Sequence, residues 1–317
     1  MVDLSPPPTG LIVGVDIGGT KTHLRALGPD GLRRDQIVPS WDWRRRCWQD
    51  DARRLTRMVG DLVGGAPIAA IGVGAHGCDD TAECRAFQAA LAAEAPVPVA
   101  VVNDAELMPL AVDLPGQIGV VAGTGSIAVH RTPSGDLVVA GGWGWIIGDE
   151  GSAAGLMREA VKAVALHLDQ GGDAGDPLVQ SVFDTLDIPS AARLGSTLGQ
   201  LSTAAAVGEH AATIFAAADQ GSPLAQRVIT EGGRALADLV GRLLERGVSA
   251  THAVAGGGVI VTQPLLWRAF ADSLPERSAG RVTPVLFGGK PVEGAVKLAR
   301  AILQTAAAQT GTASQIQ

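Results

Sequence analysis

A strand, a glycine–threonine turn and a returning strand occur twice in this chain. The first copy runs from Leu11 through Asp16 and Ile17 into Gly18-Gly19-Thr20-Lys21-Thr22, returns through His23 to Leu27, and closes on the turn Gly28-Pro29-Asp30-Gly31. The second runs from Ile118 to Ala122, turns at Gly123-Thr124-Gly125-Ser126, returns through His130, and closes on Pro133 to Asp136. Short apolar runs bounded by Gly, Pro and Asp predict buried strands joined as hairpins. Glycines at a hairpin tip permit backbone angles and close approach denied to residues with a Cβ. Successive backbone N–H groups, with the Thr20 and Thr22 hydroxyls, are then placed to surround an anion. Asp16 ends the first strand, and Ala122 stands in its place in the second copy. Beside phosphate a carboxylate makes sense only if a divalent cation or its water shell sits between the two. The stretch is no P-loop, having no G-x-x-x-x-G-K-[ST]. It is no dinucleotide fingerprint either, because a strand and not a helix follows. One such hairpin in each of two facing domains would give two phosphate-gripping tips across one cleft.

The segments between support that layout. Pro67 to Gly74 reads as a second buried strand ending in Ala75-His76-Gly77-Cys78-Asp79-Asp80, with Asp79 or Asp80 expected to cap the next helix. Val97 to Val102 is a third strand that delivers Asn103-Asp104-Ala105-Glu106 at its C-terminal end. Strands alternating with helices predict an α/β domain whose ligands bind beyond the strand C-termini. Asp104 there suits a general base, or the N-cap of a segment beginning at Ala105. Trp41 to Trp48 holds three of the six tryptophans, as packing or as a sugar platform, and a helix follows to about Val63. Arg44-Arg45-Arg46 reads as a solvated face. Gly141 to Ser152 is a rigid loop running into a helix, and residues 152–247 are largely helical by apolar spacing. The clearest helix opens at Ser222-Pro223 and stops at Gly247. A last strand, Ala253 to Ile260, carries Gly256-Gly257-Gly258, and Pro291 opens the final helix. The tail after about Ala306 is expected to fray.

The chain's 317 residues suit two domains. A formal net charge of −7 argues against a nucleic-acid surface. No apolar run reaches the ~18 residues of a membrane span, and Met1 to Thr9 has no signal-peptide core. Cys47, Cys78 and Cys84 form no C-x-x-C pair, which fits a reducing cytoplasm, and the six histidines show no metal-ligand spacing.

With both hairpins, the Asn-Asp strand end and the triple glycine in hand, the chain resembles the sugar-kinase, actin and heat-shock ATPase superfamily. Within it the sequence is similar to the N-acetylglucosamine-kinase type, grouped with the ATPase activators of benzoyl-CoA reductase. The stretch Gly-Gly-Trp-Gly-x-x-x-Gly-Asp-Glu-Gly-Ser at 141–152 is the most diagnostic piece. The resemblance implies two ribonuclease-H-like α/β domains around a central cleft, with helical additions in the second. The first would span 1–115 and regain the last helix, 291–309, and the second would span 116–290. The resemblance further implies ATP and magnesium, a small sugar as substrate, and a homodimer. Asp16 would order the magnesium hydration shell, and Gly18, Gly19, Thr20, Lys21 and Thr22 the phosphates. Gly123, Thr124, Gly125 and Ser126 would form the second phosphate loop, and Gly256, Gly257 and Gly258 would lie against adenosine. Asp104 would be the general base, and His76, Asp79, Asn103, Gly144, Asp149 and Glu150 would meet the sugar.

A kinase of this kind usually carries a small Ser/Gly-rich segment where His76-Gly77-Cys78-Asp79-Asp80 stands here. A protonated 2-amino group would favour a desolvated carboxylate such as Asp79, which a neutral acetamide would not. Glucosamine is therefore expected ahead of N-acetylglucosamine. A reductase activator would need cysteines placed to hold an iron–sulfur cluster. A sugar-sensing repressor would need a DNA-binding domain before Leu11, where only ten residues stand.

Overall fold

The computed structural model describes residues 10–313, with side chains to residue 306. The polar, proline-rich start to Thr9 lies outside the described residues. The chain forms two compact units, one of residues 1–116, 133–137 and 289–317, the other of 117–132 and 138–288.

The first unit is built on a five-stranded sheet of order β3-β2-β1-β4-β5. Its strands are β1 (Leu11–Ile17), β2 (Lys21–Leu27), β3 (Arg33–Pro39), β4 (Ile68–Ala75) and β5 (Val99–Val102). β1, β2 and β3 are antiparallel neighbours, while β4 and β5 run parallel to β1. Alternate residues of a strand face opposite sides. Val13, Val15 and Ile17 therefore share a core with Leu55, Phe87 and Leu91 of the helices Trp48–Val63 and Thr81–Glu94. The other side is lined by Gly14, Gly72 and Gly74, where a Cβ would overlap Val296, Ala295 and Leu107. Their absence of side chains lets the last helix, Val292–Ala313, lie directly on the sheet. That helix continues past Ala306, where fraying was expected, and the four residues beyond Ala313 lie outside the described ones.

The second unit repeats the plan with order β10-β9-β6-β7-β8. Here β6 (Ile118–Ala122) and β7 (Ser126–Arg131) form the hairpin, and β8 (Leu137–Gly141) extends it. β9 (His252–Gly256) and β10 (Thr283–Leu286) continue the sheet in parallel. The strand expected over Ala253 to Ile260 ends at Gly256, and Val259 and Ile260 belong to a short helix, Gly258–Thr262. Between β8 and β9 lies a helical layer whose longest member, Pro223–Glu245, is the helix read from Ser222-Pro223. Its N-cap Ser222 accepts from the Ala225 N–H at 3.1 Å, with proline at the first position. Its Leu236, Leu239, Val240 and Leu243 pack with Leu156 and Phe270. Among the described residues no helix is long and apolar enough to cross a membrane.

Candidate functional site

In the first unit the parallel strands bring three carboxylate-bearing chain ends to one edge. Asp16 pairs in register with Gly74 of β4, and Gly74 with Val102 of β5. His76 leaves β4 one residue beyond its last strand position, its N–H donating to the Ile17 carbonyl at 2.8 Å. Asn103 and Asp104 leave β5 at the same level. The cap after β5 is Asn103, not Asp104. Its Oδ1 accepts from the Ala105 N–H at 2.9 Å, and its own N–H donates to Glu106 Oε1 at 2.9 Å. Asn103 Nδ2 donates to the Cys78 carbonyl and to Asp79 Oδ1, both at 3.0 Å. Expected at the sugar, Asn103 is 0% exposed with its amide spent inside the protein, so its part is to hold Asp79. Asp80, rather than Asp79, caps the next helix, accepting from the Glu83 N–H at 2.7 Å. Asp79 is thereby left exposed, not desolvated, within its unit.

Asp104, relieved of capping, is half-buried. Burial and then the Asp79 charge push its carboxyl above the ordinary carboxylate range, against His76 and Arg44, which pull it down. Asp16 is pushed up to about 7, first by burial and then by the Asp104 charge, with Lys21 opposing. A carboxylate raised both by burial and by a second carboxylate lacks a sufficient counter-charge. Among the described residues no three His, Cys, Asp or Glu side chains converge as a metal cage. One carboxylate beside a tip of backbone donors is the donor set that suits hydrated magnesium, which keeps its waters and takes few protein ligands. The residues present fit that ion.

The tip itself is Gly18-Gly19-Thr20-Lys21, closed by the Gly18 N–H donating to the Lys21 carbonyl at 3.0 Å, with Gly19, Thr20 and Lys21 exposed. Thr22, expected at the phosphates, is 0% exposed. Its hydroxyl accepts from Trp43 Nε1 and bonds Ser40 Oγ, both at 3.0 Å, and Ser40 Oγ donates to the Gly18 carbonyl at 2.8 Å. This hydroxyl braces the tip from beneath. Two of the three tryptophans in this segment are packed: Trp43 is buried and Trp48 stacks on Phe87 with centroids 5.3 Å apart, while Trp41 is exposed.

The basic run is solvated at Arg45 and Arg46, but Arg44 departs from that reading. Asp51, wholly buried, accepts from the backbone N–H of Arg45 at 2.7 Å and of Arg46 at 3.2 Å. The Arg44 side chain turns inward, 6% exposed, with Nη1 donating to the His76 carbonyl. Nothing in the local spacing marks Arg44 as buried, because the carbonyl it meets lies 32 residues away.

In the second unit the tip Gly123-Thr124-Gly125 is closed by the Gly123 N–H donating to the Gly125 carbonyl at 3.0 Å. Ser126, expected at phosphate, is buried, and its Oγ donates to the Glu150 carbonyl at 2.8 Å. Asp149 is buried in a left-handed conformation, φ 58°. Two glycines make room for it. A Cβ on Gly155 would overlap its carbonyl, and one on Gly125 would sit 2.8 Å from its Oδ2. Asp149 and half-buried Glu150 thus stand at the second tip, and Gly144 on the exposed loop accepts from the Gly148 N–H at 2.8 Å. Arg158, not anticipated, clamps that loop by donating to the carbonyls of Trp145 and Gly148. Gly256 pairs with Val121, and Gly258 N lies 3.9 Å from where a Gly123 Cβ would stand. The triple glycine is therefore next to the second tip.

A curated N-acetylmuramic acid/N-acetylglucosamine kinase of Clostridium acetobutylicum is 30% identical over 171 residues, 51% of this chain and 56% of that relative's length. A provisional N-acetylglucosamine kinase from Chromobacterium violaceum shares the fold with TM-score 0.65 at 23% identity, over 94% of this chain and 100% of that one. A ROK-family glucokinase from Streptomyces griseus, solved with glucose and AMPPNP, does so with TM-score 0.58 at 18% identity, over 92% and 99%. The model of one family matches residues 13–299, nearly the whole described chain: this protein belongs to the BadF/BadG/BcrA/BcrD ATPase family.

Proposed function

We propose that the chain transfers the γ-phosphoryl group of ATP to the 6-hydroxyl of a hexosamine, taking glucosamine ahead of N-acetylglucosamine. The observation that carries this reading is the placement of Asp16 and Asp104 at the C-terminal ends of β1 and β5, parallel strands on either side of β4, beside a hairpin tip of backbone donors. Family membership and the curated sugar-kinase relative support it.

In this reading Asp104 accepts the proton of the sugar hydroxyl as the new oxygen–phosphorus bond forms. The bond from the γ-phosphorus to the bridging oxygen breaks, and ADP leaves with that electron pair. The backbone N–H groups of Gly18 to Lys21 and of Gly123 to Gly125 hold the phosphates, with Gly256 to Gly258 against adenosine. Magnesium, held by Asp16 through water, would neutralise charge on the phosphates. Asp149 and Glu150 meet sugar hydroxyls, and Asp79 meets the 2-amino group. Since Asp79 is exposed within its unit, burial adds no penalty against an acetamide. An exposed ion pair is worth at most ~1 kcal/mol, about fivefold in preference.

A coupled ADP-release assay with glucosamine, N-acetylglucosamine and glucose tests this. Asp104→Asn is expected to cost ~10²–10⁴ in kcat while leaving the fold intact. Undiminished turnover by that variant defeats the mechanism. Equal kcat/KM for the two amino sugars, or a preference for the acetylated one, defeats the choice of glucosamine.

A further inference from the structure

His76 is fixed by its backbone and unused by its side chain. Its N–H donates to the Ile17 carbonyl at 2.8 Å, and its carbonyl accepts from Arg44 Nη1. The turn closes behind it, with the Cys78 N–H donating to the Ala75 carbonyl at 3.2 Å and Gly77 left-handed at φ 74°. The ring is half-buried and makes no hydrogen bond among the described residues. Its Cδ2 and Nε2 each stand 3.7 Å from the place a Cβ would take on Gly19, so that edge of the ring lies against the first hairpin tip. β4 stands between β1 and β5 in the sheet, which sets His76 between the tip and Asp104. Arg46 Nη1 occupies the place a Cβ would take on Gly77, and its guanidinium too makes no hydrogen bond among the described residues. Tip, ring and guanidinium thus carry unspent donors along one stretch of surface, the pattern that receives an anion. A donor whose backbone is already held on both sides meets its ligand without reorganising.

We propose that His76 is a catalytic residue that meets the nucleotide and not the sugar: its Nε2 donates to an oxygen of the terminal phosphoryl group seated at the first tip. The assignment rests on the kinase reading for the identity of that group. The resemblance implies a sugar contact for His76, whereas the Nε2 edge faces Gly19, a residue of the tip proposed to hold phosphate. Asp104, on the other side of His76, is the acid proposed to take the proton of the attacking hydroxyl. The phosphorus which that hydroxyl attacks is then the one between tip and base, where the ring stands. No bond to His76 forms and no proton leaves it. Its hydrogen stabilises the charge carried on the transferring group.

Calorimetric titration with magnesium AMPPNP and with magnesium ADP, both without sugar, compares the wild type with His76→Ala and His76→Gln. Glutamine keeps an N–H donor at comparable reach and loses the ring. His76→Ala is expected to bind AMPPNP about tenfold to a hundredfold more weakly, the worth of a hydrogen bond to a charged group, with ADP affinity held within about twofold. His76→Gln should recover most of that loss. In steady-state assays kcat of His76→Ala should fall by about 10²–10³, with KM for the sugar unchanged. Unchanged AMPPNP affinity in His76→Ala overturns the proposal, as does an equal loss for ADP. A raised sugar KM with nucleotide binding intact returns His76 to the sugar and overturns it too. If His76→Ala does not fold, the wild type decides by NMR: the ¹⁵N signal of His76 Nε2, assigned through its absence in His76→Gln, should move with AMPPNP and stay still with glucosamine. The reverse response refutes the assignment. The binding arms need no turnover. His76-dependent AMPPNP binding in a protein without sugar-dependent ADP release would sink the kinase reading and leave the phosphate contact standing, whereas turnover with AMPPNP binding indifferent to His76 would do the opposite.

Discussion

Replacing Asp16 with asparagine should stabilise the ligand-free protein, and by an amount that depends on pH. Asp16 is held with its pKa raised from 3.8 to about 7, chiefly by burial and secondarily by Asp104. The folded state therefore keeps the Asp16 proton to higher pH than the unfolded chain does. Wild-type stability falls as pH rises from about 4 to about 7, and the penalty is complete above that. The gap is about three pH units at ~1.4 kcal/mol each, or about 4 kcal/mol. Asp16 is partly exposed, and screening by water reduces this to about 2 kcal/mol. An asparagine side chain at that position has no proton to lose, so the variant escapes the penalty. Urea unfolding followed by tryptophan fluorescence should show Asp16→Asn about 2 kcal/mol more stable at pH 8 and nearly equal to wild type by pH 4.5. Magnesium–ATP should reverse the order. At a hundred times its Kd a ligand adds ~2.7 kcal/mol to the protein that binds it, and the variant should gain far less. Wild-type and variant stabilities that run parallel from pH 5 to pH 8 would refute the idea that ionising Asp16 strains the folded state.

Three further substitutions probe the scaffold. Gly125→Ala places a Cβ 2.8 Å from Asp149 Oδ2, and overpacking of this kind costs ~1–3 kcal/mol; a lowered Tm, a raised KM for ATP and faster hydrogen exchange over 141–152 are expected together. Asn103→Ala removes the cap and the hold on Asp79, at ~1–3 kcal/mol, and should narrow any preference between amino sugars toward unity in paired kcat/KM measurements. Ser222→Ala loses the N-cap of the helix Pro223–Glu245 and should lower stability by ~1 kcal/mol in urea titration, with kcat/KM unchanged.

What was legible in the sequence is what depends on local chemistry. Glycine-dense tips between apolar runs announce both hairpins, and Ser222-Pro223 announces a helix start, because turns and caps are settled within a few residues. Edge strands are less visible. β3, Arg-Arg-Asp-Gln-Ile-Val-Pro, alternates exposed and half-buried residues and carries little apolar signal, since one of its sides pairs with nothing. The choice between Asn103 and Asp104 as cap also eludes the sequence. Either residue type caps well, and the decision rests on Cys78 and Asp79, brought in from more than twenty positions away. Within the basic run Arg45 and Arg46 are exposed as a charge run usually is, but Arg44 misled for the same reason: only the fold shows that Asp51 gathers the backbone after it and that the His76 carbonyl takes its side chain.

The two hairpins, compared as structures, divide labour in a way their shared motif does not announce. In each, the first residue to rejoin the ladder after the turn carries a hydroxyl: Thr22 opposite Ile17, and Ser126 opposite Ala122. In each, that hydroxyl points into the protein, to Trp43 and Ser40 in one copy and to the Glu150 carbonyl in the other. A hydroxyl so committed cannot also serve an anion without abandoning a buried partner, at ~1–3 kcal/mol. In the proposed reading an anion at either tip would therefore be met by backbone N–H groups, which are indifferent to side-chain identity and need only the turn held rigid. The carboxylates differ instead. Asp16 stands one residue before Ile17, the end of the first strand, where the second hairpin has Val121 before Ala122, and Asp149 reaches the second tip from a loop for which two glycines have been cleared. Only the first tip thus places an acid on its own strand, beside the parallel ends that deliver His76 and Asp104. In the proposed reading Asp104, the proton acceptor, and Asp16, the cation-ordering carboxylate, are set by parallel strands of one sheet. Their separation is consequently a property of that sheet's register.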